Sequence, residues 1–345
     1  MGRLSILVFI IYCAIFISCG NILDDLTSTN LNPKIAFNSF RNALHDVYIM
    51  NSDGSGQTKI SFYEYGSKNP VFSPTGDFLV FDGGLGLYSY HLESRQLKKL
   101  TDNLDNLEEY YSISPDGSQL LYVRGRGSKF HPESNIHILD LTNGTNINLT
   151  NDSVGYTYPA FSPDGKIILY TILRNTGIYK MNSDGSNKEQ LTEDGFWDSK
   201  PKFSPEGSKI VYISSKENYR DIFLMNSDGS SPVNLTSGYA PCDNPQFSPD
   251  GSKILFEIYV KDSLTSYTHI DLAIMAVDGK NKRALTFYSG SNYGAQFTKD
   301  GNGIVFVSNR DNNDEIYMMR SNGFDQKNLT KNANYDNSPS IQPNY

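Results

Sequence analysis

A four-residue turn recurs six times along this chain, as Ser-Pro-Asp-Gly or a close variant of it. Its glycines are 41, 48, 42, 44 and 50 residues apart. A period of this length is typical of a repeat architecture, because each copy is one supersecondary unit that buries its apolar side chains only against its neighbours. The copies are Ser73–Gly76, Ser114–Gly117, Ser162–Gly165, Ser204–Gly207, Ser248–Gly251 and Thr298–Gly301.

The copy around Ser204–Gly207 shows what one repeat contains. Short runs rich in Ile, Val, Phe and Tyr, such as Lys209–Ile213 and Asp221–Met225, alternate with Pro, Asn, Asp and Gly. This pattern indicates strands joined by tight turns, in which Pro fixes φ and Asp-Gly supplies the positive φ of a hairpin. Four antiparallel strands at this period predict a propeller blade, and no helical stripe follows residue 20.

The number of blades follows from the third strand of the repeat, which occurs seven times. The repeats begin at Lys34–Phe37, which matches a second strand, and end at Pro339–Ile341, which matches a first strand. We therefore predict one all-β domain at residues 33–345, a seven-bladed propeller in which the C-terminal strand completes the N-terminal blade; six or eight blades are the alternatives. The third strands are Asp46–Met50, Gly86–Tyr88, Asn135–Leu139, Gly177–Met181, Asp221–Met225, Asp271–Met275 and Glu315–Met319.

The N-terminus has a different composition. Residues 1–19 contain an apolar run, Leu4–Ile17, that is short for a membrane span and has the layout of a secretory signal. Phe16–Cys19 resembles a bacterial lipobox, which predicts acylation of Cys19 and a membrane anchor through the lipid. Ordinary secretion and an uncleaved anchor are the alternatives. Residues 20–32 lack a strand pattern, and we predict that they form a polar tether.

Charge and cysteine content narrow the classes of partner. The net charge is −8 and the pI is about 5.2, and no basic stripe is present to neutralise phosphates, which excludes nucleic acid as a partner. Cys242 is the one cysteine after Cys19, so we expect no intramolecular disulfide and a fold held by closure of the ring. Gly20 is not the Asp that retains lipoproteins at the inner membrane, which favours the outer membrane of a bacterial envelope. We expect a monomer.

Phe-Ser-Pro-Asp-Gly, followed by Ile-x-Phe/Tyr, Asp-Ile-Tyr-x-Met-Asn-x-Asp-Gly and Asn-Leu-Thr, resembles the WD40-like repeat of the TolB propeller family. The segment Ser308–Tyr317 is especially similar to it, and the resemblance covers about residues 33 to 345. Two departures stand out. TolB proteins carry an α/β domain before a six-bladed propeller, whereas here a short tether precedes seven predicted blades. TolB proteins are also soluble in the periplasm, whereas this chain is predicted to be lipidated. The resemblance implies the fold, whereas docking to a peptidoglycan-associated lipoprotein is not carried over.

Aromatic and acidic side chains recur in the connections between blades, which vary from copy to copy. Successive turns of an antiparallel meander alternate between the two ends of the sheet. The connections therefore share one face with the loops between second and third strands, while the uniform Asp-Gly turns share the other. Varied loops on a rigid scaffold suit recognition. The candidate binding residues are Tyr65, Tyr111, Tyr158, Trp197, Asp198, Tyr239, Asp243, Tyr293, Tyr335 and Asp336.

Signals for metals and catalysis are weak. The recurring Asp of the turns is explained by hydrogen bonding to its own turn, and no loop has the spaced carboxylates of a calcium cage. Gly-x-Ser-x-Gly is absent, and the five histidines are scattered. We therefore predict no cofactor, metal or catalytic residue, although His131, His137 and His269 are the candidates should blades assemble a polar site.

These observations leave three hypotheses of function. The first is a lipid-anchored envelope propeller that binds another, unidentified envelope protein through its variable loops. The second is a module that binds a glycan or peptidoglycan with the same aromatic side chains. The third is a propeller enzyme of the lyase or glycosidase kind. A protein-binding module should lose its partner on substitution at Trp197, Tyr158 or Tyr335. A glycan-binding module should show quenching of Trp197 fluorescence by sugars, and an enzyme should turn over an oligosaccharide.

Overall fold

The computed structural model describes residues 33–41, 43–61, 65–102, 106–126, 133–173, 177–193, 195–216, 220–261, 268–287 and 290–343. These residues form 28 strands in seven four-stranded antiparallel sheets, and no helix occurs among them. The seven sheets confirm the predicted all-β, seven-bladed propeller. The predicted signal segment, Cys19 and the tether lie outside the described residues. No described segment is a helix long and apolar enough to cross a membrane.

Six blades have four strands in sequence order, and the first strands of most neighbouring blades contact one another around the central channel. The first strands are β4 (Lys68–Phe72), β8 (Asn106–Ile113), β12 (Tyr156–Phe161), β16 (Ser199–Phe203), β20 (Cys242–Phe247), β24 (Asn292–Phe297) and β28 (Asp336–Ile341). The second strands are β1 (Lys34–Ser39), β5 (Phe78–Asp82), β9 (Gln119–Arg126), β13 (Ile167–Ile172), β17 (Lys209–Ser214), β21 (Lys253–Lys261) and β25 (Gly303–Ser308). The third strands are β2 (Asp46–Asn51), β6 (Leu87–His91), β10 (Asn135–Asp140), β14 (Ile178–Asn182), β18 (Asp221–Asn226), β22 (Thr268–Ala276) and β26 (Glu315–Arg320). The fourth strands are β3 (Thr58–Lys59), β7 (Leu97–Lys99), β11 (Asn146–Asn148), β15 (Glu189–Gln190), β19 (Val233–Asn234), β23 (Arg283–Ala284) and β27 (Lys327–Asn328).

Blade 1 is built from both ends of the propeller, in the order β28-β1-β2-β3. Ile35 lies opposite Ile341 in the antiparallel pair. The side chain of Gln342 accepts a hydrogen bond from the backbone N–H of Lys34 at 3.0 Å and donates one to the carbonyl of Gly76, in blade 2, at 2.6 Å. The predicted closure is therefore confirmed, and it leaves no open end in the stack of sheets.

The apolar core is divided into seven clusters, each lying between two adjacent blades. Between blades 5 and 6, for example, Val211 and Ile222 pack with Ile254 and Phe256, all of them buried. A blade buries its apolar side chains only if a neighbour stands on each side. The stability of the propeller therefore depends on completing the ring.

The Ser-Pro-Asp-Gly turn repeats around the channel and has a structural role, because it joins two strands and packs against the neighbouring blade. Asp116 accepts a hydrogen bond from the backbone N–H of Ser118 at 3.0 Å, and Gly117 has a φ of +77°. In the next blade a Cβ on Gly165, which has a φ of +71°, would lie 3.5 Å from Cδ of Pro115. The glycines at 207, 251 and 301 likewise face the proline of the preceding turn, whereas Gly117 faces Thr75. This geometry accounts for the recurrence of Asp and Gly through turn formation and blade packing.

The Leu-Thr sequence that ends each repeat joins the third and fourth strands. The hydroxyl of Thr236 accepts a hydrogen bond from the backbone N–H of Ile222 at 2.9 Å and donates to Asp221 at 3.0 Å. All seven blades repeat the bond to the third strand, at 2.9 to 3.0 Å. The accepting hydroxyls belong to Ser61, Thr101, Thr150, Thr192, Thr236, Thr286 and Thr330.

Candidate binding face

The loops divide between the two ends of the propeller as the meander requires. We call the turn face the end that carries the Ser-Pro-Asp-Gly turns and the turns between third and fourth strands. We call the variable face the opposite end, formed by the loops between second and third strands and by the connections between blades. The connections on the variable face are the described parts of residues 60–67, 100–105, 149–155, 191–198, 235–241, 285–291 and 329–335.

Large hydrophobic side chains are exposed mainly on the variable face. Among the described residues twelve such side chains are exposed, and eight of them lie on this face. Trp197 is 71% exposed and Tyr335 is 54% exposed. The surface is therefore apolar as well as variable, a combination found at sites of protein or ligand binding. The eight are Phe40, Leu44, Tyr65, Val154, Trp197, Tyr239, Phe287 and Tyr335.

Four of these side chains lie around blade 1, and we call them the blade 1 patch: Phe40, Leu44, Tyr65 and Tyr335. The backbone N–H of Phe40 donates to the carbonyl of Tyr335 at 2.9 Å, which holds the loop after β1 beside the connection to β28. Gly84 supports Tyr65, because a Cβ at Gly84 would lie 2.7 Å from Cβ of Tyr65 and the backbone there has a φ of +78°. The patch is thus built on the blade that closes the ring.

Trp197 stands on the connection between blades 4 and 5. Its backbone N–H donates to the hydroxyl of Ser215 at 2.9 Å, and the neighbouring Phe196 ring has the ammonium of Lys216 at 5.3 Å from its centroid. Lys216 also forms an ion pair with Glu193 at 3.4 Å. The backbone of the connection is held while the indole projects into solvent.

The three carboxylates among the candidates, Asp198, Asp243 and Asp336, are buried. Burial raises the pKa of Asp198. Burial acts in the same direction on Asp243, but Lys200 at 2.7 Å and Arg220 at 2.6 Å hold the pKa of its carboxyl below the ordinary value. These side chains lie beneath the surface and fix the loops above them, so they support the face without being presented by it.

Every first strand contains a β-bulge at the same position, and the residue there has a positive φ. In β12 the bulge residue is Tyr158, with a φ of 53°, and the pairing with β13 shifts between Thr157 and Ala160. The seven bulges lie near the variable face, where the first strands begin, and we call them the bulge ring. Its members are Asn69, Tyr110, Tyr158, Lys200, Asn244, Gly294 and Ser338.

Side chains in the bulge ring contact one another from blade to blade. The rings of Tyr110 and Tyr158 have their centroids 4.6 Å apart. Lys200 reaches both neighbours, with its ammonium 6.0 Å from the centroid of Tyr158 and 2.7 Å from the amide oxygen of Asn244. The hydroxyl of Tyr111 donates to the carbonyl of Asn69 in the preceding blade. Two of the predicted site residues are therefore at or beside the bulge ring and half-buried: Tyr158 is a member of it, and Tyr111 also packs against the core between blades 2 and 3.

Tyr293 directly precedes the bulge glycine of β24. It is half-buried, and burial together with Asp314 raises the pKa of its hydroxyl. Tyr239 is exposed on the connection between blades 5 and 6. The predicted set is thus divided among exposed side chains, channel side chains and buried carboxylates, and these groups do not form one contiguous site.

Sequence reasoning missed the bulge ring, although a signal for it was present. A proline directly follows the bulge residue in five of the seven first strands. Proline has no backbone N–H, and within sheets it is confined largely to edges and bulges. The repeated X-Pro in a predicted inner strand could have located the ring. The five prolines are Pro70, Pro159, Pro201, Pro245 and Pro339.

Comparison with known proteins agrees with this architecture. Residues 127–267 match the family model of PD40, described as the TolB beta propeller domain. This part of the chain is therefore similar to the TolB beta propeller domain. Among curated proteins, the dipeptidyl-peptidase 5 of Porphyromonas gingivalis is 38% identical over 74 residues, which are 20% of this chain and 11% of the peptidase. The match thus spans about a tenth of the relative's length.

Solved structures similar to this chain include a TolB protein and a lyase. TolB from Acinetobacter baumannii superposes with a TM-score of 0.59 at 20% identity, covering 93% of this chain and 70% of TolB. An oligogalacturonate lyase from Vibrio parahaemolyticus gives a TM-score of 0.70 at 16% identity, covering 83% and 85% of the two chains. At these identities the likeness shows the fold alone.

The histidines that the structure describes lie in different blades. His137 lies in β10 of blade 3, stacked on Tyr122 with the ring centroids 5.4 Å apart, and burial lowers the pKa of its imidazole. His269 lies in β22 of blade 6, with Nε2 3.2 Å from Asp271. His131 lies outside the described residues. No group of three or more His, Cys, Asp or Glu with a geometry for metal binding occurs in the described part of the chain.

Proposed function

We propose that this PD40 propeller is a protein-binding module of the bacterial cell envelope and that it contacts its partner through the variable face. The observation that carries the proposal is the concentration of exposed large hydrophobic side chains there, eight of twelve among the described residues. Exposed aromatic side chains are the typical anchors of protein interfaces, where a single residue can contribute about 2 kcal/mol or more of binding free energy.

Two features of the scaffold support a protein partner. The face stands on seven four-stranded sheets that close into a ring, so little conformational entropy is lost when a partner docks. The blade 1 patch and Trp197 lie on blade 1 and on the connection between blades 4 and 5, so they are separated around the ring. Two separated anchors suit a broad interface better than a small ligand.

The envelope location rests on the sequence of the N-terminus. An apolar run followed by a lipobox-like segment with Cys19 supports export and acylation, with the lipid as membrane anchor. Labelling of the full chain with a radioactive or clickable palmitate in a bacterial host tests this part. Incorporation that is lost in Cys19→Ser supports the anchor, and equal labelling of Cys19→Ser and the parent chain contradicts it.

The binding proposal is tested with the full chain solubilised in detergent and a Tyr65→Ala/Trp197→Ala/Tyr335→Ala variant. All three side chains are exposed, so their removal leaves the core intact. Proteins captured from solubilised envelopes are identified by mass spectrometry, purified, and titrated against both chains. We expect one partner whose dissociation constant rises at least tenfold with the triple variant.

A matched control is Phe324→Ala. Phe324 is as exposed as Trp197, at 70%, but it lies on the turn face. The proposal requires Phe324→Ala to bind as the parent chain does. A partner that is lost equally with Phe324→Ala, or one that is unaffected by the triple variant, contradicts binding through the variable face.

Trp197 also favours a second candidate, a glycan-binding module. A single exposed indole is a typical stacking platform for a sugar ring. Titration of the chain with peptidoglycan fragments while the tryptophan fluorescence is recorded distinguishes the two candidates. A saturable change that is absent in Trp197→Phe supports the glycan module, whereas an unchanged spectrum together with a purified protein partner supports the protein module.

A further inference from the structure

The central channel contains a cavity of about 910 Å³ that opens at the turn face. Its outer wall is formed by the prolines and serines of the Ser-Pro-Asp-Gly turns. Deeper in, Phe161, Phe203 and Phe247 supply apolar walls, and the inner end reaches Asn244 and Glu257 at the level of the bulge ring. The cavity opens at the end opposite the variable face and extends inward as far as the bulge ring, and the inference drawn from it does not depend on the function proposed above.

Lys202 projects into this cavity and has an unusual position for a lysine. The channel wall surrounds it, yet its side chain stays accessible from the lumen. Within the described part of the chain its ammonium has no hydrogen-bond or ion-pair partner, and Glu257 and Asp243 act on it only at longer range. Lys200, by contrast, is paired with Asp243 at 2.7 Å. Burial, followed by the charge of Lys200, lowers the pKa of Lys202. Its amino group is therefore the cationic group that a ligand in the lumen meets, and a carboxylate placed beside it favours the charged form.

Carboxylates stand beside the mouth of the cavity. Four of the turns whose prolines line it, and the turn at Thr298–Gly301, each carry one carboxylate, and hydrogen bonds within the turns lower the pKa of these groups, so they are ionised at neutral pH. A ring of negative charge attracts cations and repels free anions. The carboxylates belong to Asp116, Asp164, Glu206, Asp250 and Asp300.

We propose that the channel binds the C-terminal end of a basic peptide, which enters from the turn face. The terminal carboxylate pairs with Lys202 inside the cavity, and lysine or arginine side chains upstream of it remain at the acidic mouth. The apolar walls between these two charged levels accept the side chains of the last residues. A ligand of this kind pairs with the carboxylates at the mouth and with the ammonium of Lys202 inside. A free anion is repelled by the carboxylates, and a cation without a carboxylate is repelled by the ammonium.

The proposal is tested with two pools of synthetic hexapeptides. Both pools have Lys or Arg at the first two positions and mixed residues at the other four; one ends in a free carboxylate and the other in a carboxamide. Equilibrium dialysis against the full chain in detergent, followed by mass spectrometry, gives the retained peptides, whose dissociation constants are then measured. We expect the free acids to bind at least tenfold more tightly than the matching amides, as one charge-assisted hydrogen bond provides about this factor or more.

Lys202→Met is the deciding variant, and Lys253→Met is its control, because Lys253 lies at the start of β21 outside the cavity lining. We expect Lys202→Met to abolish the preference for the free acid and Lys253→Met to keep it. Glu206→Gln/Asp250→Asn should weaken binding of both pools alike. The proposal is overturned if neither pool is retained, if acid and amide bind equally to the parent chain, or if Lys202→Met preserves the preference while its circular dichroism matches that of the parent.

Discussion

The guanidinium of Arg41 lies 3.1 Å from Oδ2 of Asp336, and the two residues are 295 positions apart in the chain. Arg41 follows β1, and Asp336 opens β28, so the ion pair joins the two strands whose pairing closes the ring. The same guanidinium lies 4.7 Å from the centroid of the Tyr48 ring in β2. One side chain thus connects three strands of blade 1.

Asp336→Ala should therefore destabilise the whole propeller. Asp336 is completely buried and Arg41 is mostly so. Loss of one partner of such a pair costs on the order of 3 kcal/mol of unfolding free energy. Chemical denaturation measures this loss. The control is Asp325→Ala, because the Arg320–Asp325 pair has a similar distance, 2.7 Å, but is exposed and should contribute at most about 1 kcal/mol. Equal losses in the two variants would refute a special role for closure.

Thr236→Val tests the hydroxyl that ends each repeat. Valine has nearly the same shape, but it cannot accept the hydrogen bond from Ile222 or donate to Asp221, both of which are buried. We expect a loss of roughly 1–3 kcal/mol in unfolding free energy. Thr58→Val, on the exposed fourth strand of blade 1, should change it by less than about 0.5 kcal/mol. A neutral Thr236→Val would show that the repeated hydroxyl is dispensable.

Gly84→Ala tests whether this glycine positions Tyr65. Gly84 and Gly144 have nearly the same φ, +78° and +79°, so alanine at either costs about 1 kcal/mol of backbone strain. Only Gly84 has Cβ of Tyr65 at 2.7 Å from the added methyl, whereas nothing lies within 4 Å at Gly144. In chemical denaturation, Gly84→Ala should therefore lose about 1 kcal/mol or more of unfolding free energy beyond the loss for Gly144→Ala. Matching losses would mean that Tyr65 moves aside freely.

The Asp243 carboxyl gives the stability of the propeller a defined pH dependence. Its folded pKa lies below the ordinary value of 3.8, mainly through Lys200 and Arg220 against the opposing effect of burial. The stabilisation is therefore complete above the unfolded pKa and is lost as the pH falls through the folded pKa. The free-energy difference between the parent chain and Asp243→Asn should be constant from pH 5 to pH 8, the range well above roughly 4, and should shrink below it. A difference that persists unchanged below pH 3 would exclude ionised Asp243 as its source.

Much of the fold could be predicted from the sequence because its determinants are local. The turn at Ser114–Gly117 forms from the hydrogen bonds of Asp116 and the positive φ of Gly117 within a few residues. Such turns set the strand lengths and the period, and the half-blades at Lys34–Phe37 and Pro339–Ile341 then predict the closure. The same local rules separate the uniform turns from the variable loops, which places the variable face at one end of the propeller.

Tertiary structure alone decided which side chains that face presents. Trp197 and Tyr335 are exposed, whereas Asp198 and Asp336, the residues directly after them, are buried. In a regular strand, alternation predicts which face of the sheet each side chain points to. The bulge in every first strand inserts one residue, so the side chains beyond it point to the opposite face from the one that alternation predicts. The bulge at Lys200 likewise determines which side chains of β16 enter the channel. The position of the Lys202 side chain in the lumen depends on seven strands that meet at the centre, and contacts between residues far apart in sequence leave no local signal.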